Sequence, residues 1–180
     1  NKIGNLVEKQ ERQLDIIQRS GRRLAALIDD LLNATHIEQN RFELEPTRFD
    51  IRDLVSEMTD SLMPVLAEKD QKVVLELPDQ PIVMFADQLR LSQVISNLAT
   101  NAAKYSGDSS TITMTVSSVD DSVTISVKDE GIGISRADLP HIFSAFSRAD
   151  NEGTRKQAGI GVGLYVSRQI IDHHHGKISA

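Results

Sequence analysis

NLATNAAKYS, residues 97–106, sits inside the run ADQLRLSQVISNLATNAAKYSG (86–107), and two periodicities pass through it. Leu91, Val94, Ile95, Leu98 and Ala102 recur at helical spacing and predict an amphipathic helix with one buried stripe. Asn97, Asn101, Lys104 and Tyr105 recur three to four residues apart on a second face. Asparagine bonds readily to nearby backbone and favours caps and turns over helix interiors. Two of them one turn apart therefore need a reason. A solvated helix face is one; a polar face built for a ligand is the other.

Outward from this helix the pattern mixes helices and strands. Residues 50–69 predict a helix capped by Asp50 and interrupted or kinked near Pro64, after a linker near residues 40–49. KVVLEL (72–77) and IVMF (82–85) predict strands. TITMTVSS and SVTISVKD alternate at period two around VDD (119–121) and predict a hairpin. The glycine turn DEGIGIS (129–135) follows, with Ser135 as cap of a short helix into LPHIFSAF. SRADNEGTRKQA (147–158) has no periodicity and reads as a mobile loop, and GIGVGLYVSRQIIDHHHG (159–176) is a glycine turn opening a helix that ends at Gly176. Without βαβ alternation, this order predicts an α+β sandwich rather than a doubly wound sheet.

At the other end, Ile3, Val7, Gln10, Leu14, Ile17, Gly21, Leu24, Ile28, Leu31 and Thr35 keep heptad phase, and Leu6, Ile16, Ala25, Leu27 and Leu32 widen the stripe. Such a face suits a four-helix bundle and predicts dimerisation, since one helix cannot bury it alone. The 180 residues suit one domain with an appendage or two small domains. The chain opens within a helical pattern and stops at GKISA, a few residues into a predicted strand, as a piece of a longer protein would.

Bulk composition narrows the function classes. With 20 Lys and Arg against 26 Asp and Glu, the net charge of −6 argues against a nucleic-acid partner. The absence of cysteine excludes disulfides, zinc thiolate sites and cysteine nucleophiles. No apolar run approaches the ~20 residues that span a bilayer. The expectation is a cytoplasmic domain without direct membrane contact.

Three segments can carry chemistry. Asn97, Asn101 and Lys104 can offer amide oxygens and an ammonium to hydrated Mg²⁺ and its phosphates, because Mg²⁺ takes hard oxygen ligands and keeps waters. In DEGIGI, Gly131 and Gly133 let a flat ligand approach the backbone, and Asp129, if buried, can accept hydrogen bonds from a base's exocyclic amine; an ordinary strand-ending turn has the same look. Gly159, Gly161 and Gly163 alternate before a helix, where backbone amides can meet phosphate oxygens. This is neither the G-x-x-x-x-G-K-S/T loop nor the G-x-G-x-x-G fingerprint.

Taken in order, SQVISNLATNAAKYS, VKDEGIGIS, IFSAFSR and GIGVGLYVSRQIIDHHHGKI resemble the asparagine, first glycine, phenylalanine and second glycine boxes of bacterial sensor histidine kinases, and LIDDLLNATHIEQNRFELEPTRFDI is similar to the end of their dimerisation helix and linker. The resemblance implies residues 1–45 as the incomplete second helix of a dimerisation and phosphotransfer bundle. Residues 46–180 would be a catalytic ATP-binding domain of the Bergerat type, an α/β sandwich with its last strand truncated. It implies an ATP and Mg²⁺ dependent histidine kinase, homodimeric through helix 1–40, that passes its phosphoryl group to a response regulator receiver domain. Asn101 would ligate Mg²⁺ with Asn97 nearby, Lys104 would neutralise phosphate and Tyr105 would line the ribose and base. Asp129 would read adenine in a pocket formed by Gly131, Gly133 and Ile134. Gly159, Gly161, Gly163 and Leu164 would border the triphosphate, and residues 147–158 would be an ATP lid, anchored by Phe143 and Phe146 unless both are core aromatics, with Arg148 as a further phosphate contact.

Two departures matter within the resemblance. Val162 stands where leucine is common, a volume-tolerant change. The acceptor histidine with its acidic neighbour has no counterpart: His36 precedes Ile37, and His141 has no acidic neighbour in sequence. His173, His174 and His175 point about 100° apart on a helix and cannot close on one ion, so they predict a helix C-terminal turn instead. In the gyrase, chaperone and mismatch-repair ATPases of the same fold, a glutamate one turn before the metal asparagine activates water. Asn97 occupies that position here, and an amide cannot take the proton, which favours kinase over hydrolase. A nucleotide-binding regulatory or pseudokinase module without phosphotransfer is the alternative.

Overall fold

A computed structural model describes residues 43–147 and 161–180, together with Gln10, Gln13, Leu14, Ile17 and Gly21. Most of the heptad segment, His36, Arg148, Gly159 and nearly all of the loop 147–158 lie outside the described residues. The seam positions Gln10, Leu14, Ile17 and Gly21 are helical, and Leu14 and Ile17 stand exposed.

The described elements run β1 (Thr47–Asp50), α1 (Ile51–Ala67), β2 (Lys72–Glu76), β3 (Val83–Ala86), α2 (Gln88–Tyr105), β4 (Thr111–Val119), β5 (Ser122–Lys128) and α3 (Gly163–His173). β2, β4 and β5 form one sheet, β2 parallel to β4 and β5 antiparallel to it; β1 and β3 form a separate antiparallel pair. The β4–β5 hairpin turns on Asp120 and Asp121, with Asp120 at φ 51, in the left-handed region that a tight two-residue turn uses. On β4 the inward residues Ile112, Met114 and Val116 are buried against Ile51, Leu54, Val55, Leu62 and Leu66 of α1 and Leu91, Ile95, Ala99 and Ala103 of α2. Helices thus cover one face of the sheet, the α+β arrangement expected.

Four local expectations change. The linker near residues 40–49 contains the start of a strand: Thr47–Asp50 pairs with Ala86–Val83 as β1. A four-residue strand is too short to show a period and takes its conformation from its partner. α1 continues unbroken through Pro64, because the carbonyl that proline orphans belongs to exposed Asp60, where water can satisfy it. After Ser135 the chain forms successive turns rather than a helix: the Ser135 hydroxyl accepts from the Asp138 amide at 3.1 Å, and Pro140, lacking an N–H, stops propagation. Residues 177–180 form no strand.

Asp50 does cap α1, accepting from the Arg52 amide at 3.0 Å, and it also accepts from the Arg52 guanidinium at 2.7 Å and the Ile82 amide at 3.3 Å. Arg52 reaches on to the carbonyls of Pro78 and Asp79. The Arg52 side chain holds the Asp50 carboxyl well below the usual range, at about 2 instead of 3.8, despite opposition from burial. A depressed folded-state pKa means stability that is present above pH ~4 and lost as pH falls toward 2. Asp50→Asn keeps a capping oxygen but loses the charge-assisted bonds to Arg52, and should therefore cost about 1 kcal/mol at neutral pH. The gap from wild type should close between pH 4 and 2 in denaturant titrations.

Candidate functional site

α2 is fixed at both ends before it presents any chemistry. At its start Asp87 caps the helix through the Arg90 amide at 2.9 Å and accepts from the Glu45 amide at 2.9 Å. Burial pushes the Asp87 carboxyl up, but those two amides, aided by the charge of Arg90, hold it below the usual carboxylate range. The Asp87 amide donates to His174 Nε2 at 3.1 Å, so the proton of that ring sits on Nδ1 and is donated to the Ile170 carbonyl. At the end of α2, Lys69 Nζ donates to the carbonyls of Ala103, Lys104 and Ser106 at 2.9 to 3.1 Å. The buried Gln71 amide donates to the carbonyls of Ala103 and Gly107. A cation on the last carbonyls also complements the helix dipole.

One face of α2 enters the core; the other lines a cavity of about 670 Å³. Asn97, Asn101, Lys104 and Tyr105 line it from α2, Asp129, Gly133 and Ile134 from the turn after β5, and Gly161, Gly163 and Leu164 from the start of α3. Three segments far apart in sequence thus meet at one space. Lys104 Nζ donates to the Tyr105 hydroxyl at 3.1 Å and lies 4.7 Å from that ring's centroid. Asp129 is exposed rather than buried, with Oδ1 accepting from the Gly131 amide at 2.8 Å, since the turn leaves β5 at the edge of the sheet. Gly131 sits behind the lining: a Cβ there would be 2.6 Å from Asp129 Oδ1 and 2.7 Å from the Tyr105 carbonyl oxygen. Phe143 lines the cavity, whereas Phe146 is 63% exposed and no core aromatic.

α3 packs on α2 through Val162, Val166 and Ile170 against Val94 and Leu98. Val162 at its N-cap offers no side-chain acceptor, so the helix end that borders the cavity has no capping bond from its own N-cap residue. His173 and His174 bond to carbonyls of their own last turn, as expected of a helix C-terminus. The left-handed residue that closes the helix is His175 (φ 57), and Gly176 follows it with its amide on the Ile171 carbonyl. Among the described residues, no group of three or more His, Cys, Asp or Glu could hold a metal, and no helix is long and apolar enough to cross a membrane.

The sequence reading missed Ser167, Lys69 and Gln71. Ser167 is 2% exposed, and its Oγ accepts from Asn97 Nδ2 at 2.9 Å. The signal for it was in GLYVS, where Gly163 and Ser167 place small residues one turn apart on the face that meets α2. Nothing local could reveal Lys69 and Gln71, which act across more than thirty residues of chain.

A layer of helices on a mixed sheet, with an asparagine-bearing helix facing two glycine turns, defines a nucleotide-binding ATPase fold of the Bergerat type. Residues 86–180 match the histidine kinase-, DNA gyrase B- and HSP90-like ATPase family, and the chain belongs to that family. Curated relatives that it matches include sensor histidine kinases. GacS of Pseudomonas protegens is 35% identical over 97% of this chain and 20% of its own length, and WalK of Bacillus subtilis is 32% identical over 94% and 28%. The chain therefore spans between a fifth and a third of the length of these two relatives. Full-length ShkA, solved in complex with AMPPNP, is similar at a TM-score of 0.80 and 26% identity, covering 99% of this chain and 37% of that one. The catalytic domain of histidine kinase ThkA is similar at 0.66 and 29%, covering 75% and 87%.

Proposed function

We propose that this chain is the ATP-binding and catalytic part of a sensor histidine kinase, which binds Mg-ATP and directs the γ-phosphoryl group to a histidine of the dimerisation helix for relay to a receiver domain. The observation that carries the reading is the meeting of Asn97, Asn101 and Lys104 with Asp129 and the α3 N-terminus around one cavity of nucleotide size. In this reading Asp129 accepts a hydrogen bond from the adenine amino group, and the backbone around Gly133 and Ile134 receives the flat ring. Lys104 and the amides at the start of α3 meet phosphate oxygens. Asn101 supplies one amide oxygen, a donor that fits Mg²⁺ arriving with the nucleotide, and among the described residues no cluster of His, Cys, Asp or Glu offers a protein-built cage. Bound Mg²⁺ would neutralise the triphosphate. Asn97 cannot act as a base toward water, so the chain's contribution is positioning and charge, suited to an imidazole that is already nucleophilic.

The exposed Leu14 and Ile17 on the heptad face support homodimerisation through helix 1–40. The part of the parent that contains these elements would lie in the cytoplasm. No histidine of this chain is directly followed by an acidic residue, so incubation with labelled ATP should leave it unlabelled, and acid-labile label on His36 would reassign the acceptor.

Titration with a non-hydrolysable ATP analogue and Mg²⁺ tests the reading. Asp129→Asn should weaken binding roughly tenfold, because its amide turns an N–H toward the base's own amine. Absence of binding, or an affinity indifferent to this substitution, would overturn the assignment.

A further inference from the structure

We infer that Ser167 is a positioning residue for the metal end of this site, an inference that rests on the nucleotide reading above. Asn97 is gripped at both ends of its amide by a single helix. Its Nδ2 donates to Ser167 Oγ at 2.9 Å, and its Oδ1 lies where a Cβ on Gly163, one turn earlier on α3, would come within 2.5 Å. That same Oδ1 receives Asn101 Nδ2 at 3.4 Å. The chain of contacts therefore runs from Ser167 to Asn97 to Asn101, and it sets which end of each amide faces which neighbour.

An asparagine amide rotates over a broad, roughly two-fold torsion, so one that is to present its oxygen in a fixed direction needs a partner to hold it. Here the holding group is a hydroxyl 2% exposed in the α2–α3 contact. With Asn101 Nδ2 directed to Asn97, Asn101 Oδ1 is the end left to face the cavity. Ser167 touches neither metal nor nucleotide in this arrangement; it acts through Asn97. It also rides on the helix whose N-terminus borders the cavity at Gly161 and Gly163. The phosphate end and the metal end of the site are thus held by one rigid element.

The test compares affinity for an ATP analogue with Mg²⁺ and with EDTA, alongside the thermal midpoint and the ¹⁵N resonance of the Asn97 side-chain amide in the nucleotide-free protein. Ser167→Ala should shift the Asn97 amide resonance and weaken Mg²⁺-dependent binding roughly three- to tenfold, leaving affinity in EDTA within about twofold. It should add nothing further in an Asn101→Ala background, since coupled residues are not additive. Equal losses with and without Mg²⁺ that track a fall in thermal midpoint would reduce Ser167 to a packing role, and a retained Mg²⁺ gain would remove the inference alone. A wild-type affinity indifferent to Mg²⁺ would instead overturn the metal reading on which it rests. If Ser167→Ala does not fold, Ser167→Cys keeps the volume while weakening the acceptor and is judged by the same criteria.

Discussion

Gly131→Ala is expected to cost about 2 kcal/mol of stability through overpacking. It should also weaken nucleotide binding by roughly a hundredfold through misplacement of the turn proposed to read adenine. The added methyl would stand 2.6 Å from Asp129 Oδ1, 2.7 Å from the Tyr105 carbonyl oxygen and 3.0 Å from its carbon. The carboxylate can swing aside. The carbonyl cannot, because it belongs to the last turn of α2, where Lys69 binds the neighbouring carbonyls of Ala103, Lys104 and Ser106, and Gln71 binds that of Gly107. Ser106 also forms a bridge to Gly131 itself. The turn must therefore move away from the helix, taking Asp129 with it and breaking the Gly131 amide bond to Asp129. Chemical unfolding and analogue titration measure the two effects. Gly107→Ala is the control: a Cβ there meets nothing within 4 Å, and both quantities should stay at wild-type values.

That rigid junction was invisible in the sequence, and the reason is physical. α2 was legible because its two faces have the same helical period, one apolar and one polar, and both survive in any window long enough to contain three turns. The hairpin was legible because β4 and β5 alternate strictly around a turn of two aspartates. By contrast, β1 exists through its pairing with β3, and a strand of four residues has no period of its own to read. Ser135 begins a turn as its chemistry predicts, but a cap does not make a helix when a proline follows five residues later. Within the site, the residue types that face the cavity could be named because the ligands proposed for it, a metal, phosphates and a base, each demand a particular functional group. Whether Asp129 is buried has no local signal, and its exposure follows from the edge position of β5, a property of the whole sheet. The residues that hold those groups in place could not be named, since a serine, a lysine or a glutamine becomes a support only through what the fold sets beside it.

Asn101→Ala should remove the dependence of nucleotide affinity on Mg²⁺, a loss of roughly ten- to a hundredfold when the metal is present, as for a hydrogen-bonding partner of a charged group. Affinity in EDTA should be nearly unchanged. Stability should hold within about 0.5 kcal/mol, because alanine is the better helix former and offsets the loss of a weak bond. The structure supports that small cost: the described contact of Asn101 is a long one, 3.4 Å to Asn97 Oδ1, at a half-buried position whose apolar neighbours in α2 pack elsewhere. Calorimetric titration with and without the metal, together with thermal unfolding, reads all three quantities. The contrast with Asp129→Asn then separates the two ends of the cavity, since loss of the base contact should weaken binding by the same factor whether or not Mg²⁺ is present. If Asn101→Ala instead weakened binding equally in both conditions, the asparagine would be a phosphate or packing contact, and the metal would have to be held by nucleotide and water alone. Because position 97 offers an amide rather than a carboxylate, wild-type protein saturated with Mg-ATP should still turn it over slowly. Rapid hydrolysis that disappears in Asn97→Ala would place the chain with the water-activating branch of its family instead.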